Sequence, residues 1–435
     1  MSREELRPAD RPLRLHIGHH FFGSGNLGDD LMLAGFMAAL RTQRRAVELT
    51  CASPFDLASQ SRRFPNVRWM PYEPSPREDA IRGCDAWVGI GGTPFQVVVG
   101  PWFLDHLAAD LELCQKHGKP MHFIGIGVNE ASALKDSRAT HVLSYADRIW
   151  TRDERSAELI GDAGFAAKVS SAADLAHVYL KGAPHIPVEA QTIGHVLNFE
   201  DPGAFDPAAV QRVTGRLSDR RHRWLVQESR PLEGSELAIF EKLPADVRTR
   251  LDLRVPDYSN GSLADLLAPW GSPETLVTSR YHAAVIGAWH GARVVSVERS
   301  EKIRGLVAQL GVVAVPDFND PKILLDAIAR AVPVDRRLLD KLARLAEDAC
   351  HEMIDHIAQA QEPCNRAALA SVEAKDSPRF QSFMAMMNAF AGSFGLRRFT
   401  SWSKIWEYPW LWHAALSGTD WAGKRVVDLG SEISP

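Results

Sequence analysis

The chain has 435 residues, with 50 Lys and Arg against 54 Asp and Glu, and a formal net charge of −4. At 45% hydrophobic and 24% charged residues it has the makeup of a folded globular protein. It has room for about three domain-sized units and lacks the basic excess that nucleic acid demands. The local clusters Arg41, Arg44, Arg45 and Arg220, Arg221, Arg223 read as solvated faces. The five cysteines, at 51, 84, 114, 350 and 364, are odd in number and without a close pair. They predict reduced, mostly buried thiols and neither a zinc site nor a redox motif. The first residues, M-S-R-E-E-L-R-P-A-D, lack the apolar core of a signal peptide, and no apolar run reaches the roughly 18 residues of a membrane span. The expectation is a cytoplasmic protein, with room for peripheral association at the inner face of the membrane through a lipid-linked substrate.

In chain order, apolar runs at 13–18, 47–52, 67–70, 86–90 and 121–126 alternate with amphipathic segments such as 102–117 and 131–145. Two further short strands are predicted at 149–151 and 168–171. This alternation is the pattern of parallel strands joined by crossover helices. The polar stretch 181–191, with two prolines, reads as a linker, after which the alternation restarts with strands at 193–199, 223–227, 251–255, 274–278, 293–297 and 312–315. A long helix is predicted over 336–361, with Leu338, Leu339, Leu342, Leu345 and Ala346 on one face. The resulting organisation is a first Rossmann-like domain at 1–183, a second at 184–334, a helix and linker at 335–375, and a Trp-rich tail at 376–435. Ligands of open α/β sheets bind outside the carboxyl ends of strands, which places a site in the cleft between the two halves.

Three groups of residues stand at such strand ends. The run G-H-H-F-F-G-S-G-N-L-G-D-D, residues 18–30, follows the first strand and precedes a helix. Its glycines, Gly25 and Gly28 among them, allow tight turns and close approach to a ligand. Asn26, Asp29 and Asp30 follow, and Asp29 or Asp30 is expected to cap the helix. The helix start offers N–H groups to an anion. No acidic residue stands clearly at the end of the next strand, so this is not read as a dinucleotide fingerprint. In the same half, Gly91 and Gly92 end one strand, and Arg152 stands at the end of another with Asp153, Glu154 and Ser156. In the second half, T-S-R-Y-H at 278–282 places Arg280 and His282 where a strand gives way to a helix. A guanidinium there can hold a phosphate or carboxylate and an imidazole can move a proton. The bland alternative is a structural ion pair and a helix cap. Lys302 and Arg304 stand at the next strand-to-helix turn, where a solvated helix face is the competing reading. No H-E-x-x-H and no Cys–His spacing suggests a metal, and no G-x-S-x-G elbow occurs.

The order of these motifs resembles the polysaccharide pyruvyl transferase family. They stand here as Gly23–Asp30, Gly91–Gly92, Gly125–Val128, Thr151–Leu159, Ser171–Asp174, Ser279–His282 and Lys302–Leu306. The resemblance implies two tandem Rossmann-like domains of glycosyltransferase-B type. It also implies transfer of the enolpyruvyl unit of phosphoenolpyruvate to a sugar diol, giving a pyruvate ketal in exopolysaccharide or cell-surface glycan assembly. Phosphoenolpyruvate is then a co-substrate and no cofactor is expected. The acceptor is a glycan, or a lipid-linked or nucleotide-linked sugar, and homo-oligomerisation is left open. The roles implied are Arg280 and His282 as catalytic residues, with Lys302 and Arg304 supporting the donor. Gly25, Asn26, Gly28, Asp29, Asp30, Gly91, Gly92 and Arg152 line the substrate site.

Two positions depart from the family pattern. Thr93, Pro94 and Gln96 follow the glycine pair where a third glycine and an acid are usual, and Asn198 stands where relatives often carry an arginine. Two other readings therefore stand beside the first: a nucleotide-sugar-dependent glycosyltransferase, and a non-catalytic sugar-binding relative. In the tail, W-x-Y-P at 406–409 and G-K-R-V-V-D-L-G-S at 423–431 resemble the opening of an S-adenosylmethionine-dependent methyltransferase domain, truncated before a sheet could form.

Overall fold

In the computed structural model, residues 11–361 are described apart from 98–99, 101, 200–204, 231 and 260, together with the single residue 385. The methyltransferase-like tail and Cys364 lie outside the described residues. Thirteen strands occur among the described residues: β1 Leu13–Ile17, β2 Val47–Ser53, β3 Val67–Pro71, β4 Ala86–Ile90, β5 Met121–Ile126, β6 Arg148–Thr151, β7 Val169–Ser171, β8 Glu189–Val196, β9 Arg221–Leu225, β10 Leu251–Arg254, β11 Pro273–Thr278, β12 Arg293–Val297 and β13 Val313–Val315. The first seven form one parallel sheet in the order β3-β2-β1-β4-β5-β6-β7. The other six form a second in the order β10-β9-β8-β11-β12-β13. Strands buried on both faces read as continuous apolar runs; every residue of β4 and of β5 is buried.

In each sheet the strand order reverses once, between β1 and β4 in the first and between β8 and β11 in the second. The crevice outside the carboxyl ends at such a reversal is where doubly wound sheets bind ligands. The chain leaves β1 into the glycine run, β4 into Gly91–Gly92, β8 toward Asn198, and β11 into Ser279, Arg280 and His282.

Several boundaries differ from expectation. β8 starts at Glu189, inside the segment read as linker, because Glu189 N–H donates to Ser272 O at 2.7 Å and extends the pairing with β11. The amphipathic stretch at 131–145 divides into a 3-10 turn, Ala131–Lys135, and a helix, Ser137–Tyr145, with Asp136 capping the latter through Arg138 N–H. The helix after β11 begins at Tyr281, two residues earlier than the apolar pattern suggests.

Residues 12–357 form one compact unit. The long helix Arg336–Gln361 follows the second sheet and packs on the first half. It buries Leu339, Leu342, Ala346 and Ile357 in a core shared with Leu33 and Phe36, while Leu345 is turned outward. Thr42 Oγ1 donates to Glu347 at 2.8 Å and Gln43 Nε2 to Asp355 at 3.4 Å along the same seam. The helix Leu27–Thr42 is apolar nearly all round, as a helix covered on every side must be. It meets the helix Ala176–Gly182 at Gly35, where a β-carbon would lie 1.8 Å from the Leu175 carbonyl oxygen. Backbone cannot yield there as a side chain could. Gly35→Ala is therefore expected to destabilise the protein by about 2 kcal/mol or more, read as a fall in thermal midpoint. An unchanged midpoint would show that the two helices separate freely.

Candidate functional site

The glycine run is fixed from both halves. Asn26, not Asp29 or Asp30, caps the helix: its Oδ1 accepts from Gly28 N–H at 3.1 Å and from Gln227 Nε2, also at 3.1 Å. The helix starts at Leu27, so both aspartates already lie inside its first turn. Asp30 folds back to accept from Gly23 N–H at 2.6 Å. Backbone links tie the run to the segment after β9: Leu27 N–H donates to Gln227 O at 3.1 Å and Ser229 N–H to Gly25 O at 2.9 Å. Gly25 has φ +104°, and a β-carbon there would lie 2.3 Å from Ser229 Oγ.

Gly28 faces His282. A β-carbon on Gly28 would stand 2.1 Å from His282 Nδ1, so only a glycine lets the ring lie against the helix start. Behind the ring, Nε2 stands 3.3 Å from Asp174 Oδ2. Asp174 is fully buried, and its Oδ1 accepts from Ala176 N–H at 2.9 Å. Burial alone would raise its pKa; the charges of His282 and Arg152 overcome that and bring it down to about 2. Arg152 is 2% exposed and lies 3.7 Å from the same Asp174 oxygen, with its guanidinium 3.9 Å from the centroid of the Tyr281 ring. Asp153 caps the helix after β6 by accepting from Ser156 N–H at 2.7 Å.

Arg280 occupies the cap position of the helix Tyr281–Trp289. Its guanidinium donates to both oxygens of Glu236, Nε to Oε1 at 2.6 Å and Nη2 to Oε2 at 3.2 Å. Glu236 has no exposed surface and also accepts from Glu228 N–H at 3.2 Å. Burial works to discharge Arg280, but Glu236 outweighs it and holds the pKa above the usual arginine value. Glu228 in turn takes two hydrogen bonds from Arg230, at 2.7 and 2.8 Å. Asn198, at the family's arginine position, exchanges hydrogen bonds of 2.9 Å with Ser279, the residue before Arg280. It steadies the turn and adds no charge.

Asp29 is partly exposed, and its pKa is raised to about 8. Desolvation is the largest cause, followed by the negative charges of Glu228 and Asp30; Arg230 and Arg280 act against them. Asp30 is pushed up to about 6 by burial, although Arg63 Nη1 lies 3.1 Å away. Arg63 also donates to Tyr258 O at 2.9 Å, joining Asp30 to the segment after β10.

The remaining residues anticipated from sequence lie apart from this cluster. Gly91 and Gly92 have φ of +61° and +73°, and β-carbons there would strike Met32 and Phe21. They serve close packing inside the first half. Arg304 is exposed and pairs with Glu298 at 3.0 Å and Glu301 at 2.5 Å. Lys302 sits, partly exposed, in the first turn of the helix Glu301–Leu310. So Gly28 is brought to His282 and Asp29 within the field of Arg280, with Arg152 behind Asp174, while Asn26 meets Gln227 and Asp30 meets Arg63. Glu236 and Arg63 had no sequence signal, since each acts through a partner far along the chain, and Glu228 pairs locally with Arg230 while its effect on Asp29 is tertiary. Asp174 did have one: it closes the short S-A-A-D motif at 171–174.

For Asp29 the unfolded pKa is near 4 and the folded value is higher. The carboxyl therefore costs stability progressively as pH rises from about 4 to about 8. Asp29→Asn is expected to match the parent near pH 4 and to be more stable at pH 8, by thermal melts across that range. A pH-independent difference would show that Asp29 is not held in this environment.

The family model described as polysaccharide pyruvyl transferase matches residues 26–301. No curated protein sequence matches the chain. Among solved structures, UDP-GlcNAc 2-epimerase from Methanocaldococcus jannaschii is similar at 10% identity and a TM-score of 0.53, covering 79% of this chain and 100% of that one. UDP-N-acetylglucosamine 2-epimerase from Rickettsia bellii gives 9% identity, a TM-score of 0.52, and 81% and 99% coverage. The Neisseria meningitidis UDP-GlcNAc 2-epimerase, bound to UDP-GlcNAc, gives 9%, 0.51, 80% and 100%. At such identities these likenesses establish the fold, two Rossmann-like domains of glycosyltransferase-B type. Built on that fold and matched through most of both sheets, the chain belongs to the polysaccharide pyruvyl transferase family.

Proposed function

We propose that the protein transfers the enolpyruvyl group of phosphoenolpyruvate to a sugar diol, forming a pyruvate ketal and releasing inorganic phosphate. The observation that supports it best is His282, held between Gly28 and Asp174 at the same helix start as Arg280. Protonating the methylene carbon of the donor leaves an oxocarbenium-like centre at the neighbouring carbon. One sugar hydroxyl bonds to that carbon and loses its proton. A second hydroxyl then attacks it, the carbon–oxygen bond to phosphate breaks, and phosphate leaves carrying the proton that this hydroxyl gives up. His282, with the Asp174 carboxylate behind it to stabilise the imidazolium, supplies the first proton. General acid help of this kind is worth about two to four powers of ten. Arg280 and the helix N-terminus hold the donor's anionic groups, and Asn26 and Asp29 face the acceptor. The glycan or lipid-linked or nucleotide-linked sugar acceptor belongs to this proposal, as does the absence of any further cofactor.

For a donor to reach His282 Nδ1, the glycine run must draw back from the ring and from Gln227–Ser229. Closure on a bound donor would then exclude water from the oxocarbenium centre.

A second reading is favoured by one feature. Glu236 already neutralises Arg280, and Asn198 adds no charge, so the site presents little net positive potential to a strongly anionic donor. That balance suits a sugar-binding protein without turnover, or a nucleotide sugar, whose diphosphate carries less negative charge than the phosphate and carboxylate of phosphoenolpyruvate. Phosphate release from phosphoenolpyruvate, screened against a panel of sugar acceptors, separates these readings. The first predicts acceptor-dependent release, reduced at least about a hundredfold in His282→Ala and similarly in Arg280→Ala. Stabilisation by uridine or guanosine nucleotides with no response to phosphoenolpyruvate would replace it with the second.

A further inference from the structure

At the other end of the first sheet, three side chains from distant parts of the chain converge. His122 is the second residue of β5, Asp147 immediately precedes β6, and His356 lies on the long C-terminal helix. One ligand-capable atom from each falls within 4.8 Å of the other two. His356 Nε2 is 2.8 Å from Asp147 Oδ2, and His122 Nε2 is 4.0 Å from that same oxygen. The two imidazole rings stand edge to face, with centroids 5.6 Å apart at 81°.

His122 makes this more than a surface His–Asp pair. It is 1% exposed, and its Nδ1 is buried with no hydrogen-bond partner. Its Nε2 is directed at Asp147 from too far for a hydrogen bond. A buried polar nitrogen without a partner is costly. Nε2, the nitrogen that faces Asp147, stands 4.0 Å from its oxygen, a gap that a shared ion would fill. Ligands bound tetrahedrally at about 2.0–2.1 Å stand roughly 3.3 Å from one another. The present separations of 2.8 and 4.0 Å lie on either side of that value. Two cations flank the cluster. Arg148 is drawn to Glu352 at 3.3 Å and over the Trp150 ring, and Lys168 donates to the carbonyls of Ser144 and Ala146. The half-exposed carboxylate of Asp147 leaves an entry path and room for water as a fourth ligand.

We propose that His122, Asp147 and His356 bind a divalent transition-metal ion of the zinc type, which pins the C-terminal helix to the amino ends of β5 and β6. Two imidazoles and one carboxylate form a borderline donor set suited to zinc. The site lies at the opposite end of the sheet from the Gly91–Gly92 turn, so the ion acts on the attachment of the helix and not on the reacting groups. Motif reading could not find it, because the ligands lie 25 and 209 residues apart along the chain.

The test uses the full chain, stripped with a chelator and titrated with zinc sulfate by calorimetry and thermal melting. One equivalent is expected to bind and to raise the melting temperature by a few degrees, about 2–5 °C. His356→Ala and Asp147→Asn both leave buried His122 in place. They are expected to fold without metal, to bind zinc at least about tenfold more weakly, and to lose the thermal gain. Cobalt(II) should give the visible absorption of a tetrahedral site in the parent and not in His356→Ala. Absence of saturable zinc binding, or undiminished binding and thermal gain in both variants, would overturn the proposal and leave a water-bridged cluster.

Discussion

Where Gly28 stands no larger residue can, because its β-carbon would lie 2.1 Å from the ring of His282. That contact sets how far the glycine run and the β11 turn approach each other. The hydrogen bonds from Leu27 to Gln227 and from Ser229 to Gly25 hold the same spacing on one side, and the 3.3 Å approach of His282 Nε2 to Asp174 Oδ2 holds it on the other. His282 thus comes from the second sheet while Gly28 and Asp174 come from the first. Neither half could present the imidazole in this way alone.

Charge is arranged around that contact in closed groups. Asp30 with Arg63, Asp174 with Arg152, and Glu236 with Arg280 are all ion pairs with at least one buried member, and His282 stands against the same Asp174. A buried pair adds little net stability over an apolar equivalent, but losing one partner is severe because the other is left uncompensated. Such pairs specify geometry more than they stabilise. Asp29 is the exception: its carboxyl lies among acids with no short ion pair of its own, and its pKa rises accordingly. A residue that costs stability at neutral pH, within the field of Arg280 and Arg230, fits a role in handling substrate.

The thirteen strands of the described residues were legible in the sequence, most plainly β4 and β5, whose burial on both faces leaves a continuous apolar run, and least so the short, partly exposed β7 and β10. The carboxyl ends of the strands as the place for a site followed from the tandem βα alternation, whereas the strand order and its reversal became visible only in the structure. The cap of the first helix was not legible: Asn26, Asp29 and Asp30 are all good caps by type, and it is the bond from Gly28 N–H, with a second from Gln227 two hundred residues away, that marks Asn26 as the boundary. Arg280 and His282 could be found because they follow a strand directly. Glu236 could not, because an acid in the first turn of a helix has an ordinary explanation and its meeting with Arg280 is a product of tertiary packing. Gly91 and Gly92 show the converse, a conspicuous motif whose glycines admit Met32 and Phe21.

The most direct measurement of the central claim is calorimetric binding of phosphoenolpyruvate to the parent protein and to Arg280→Ala and His282→Ala. Saturable binding in the parent, weakened at least about tenfold in Arg280→Ala and retained in part by His282→Ala, is the result expected of a donor site at this helix start. Absence of binding in the parent, or equal affinity in all three proteins, would contradict it.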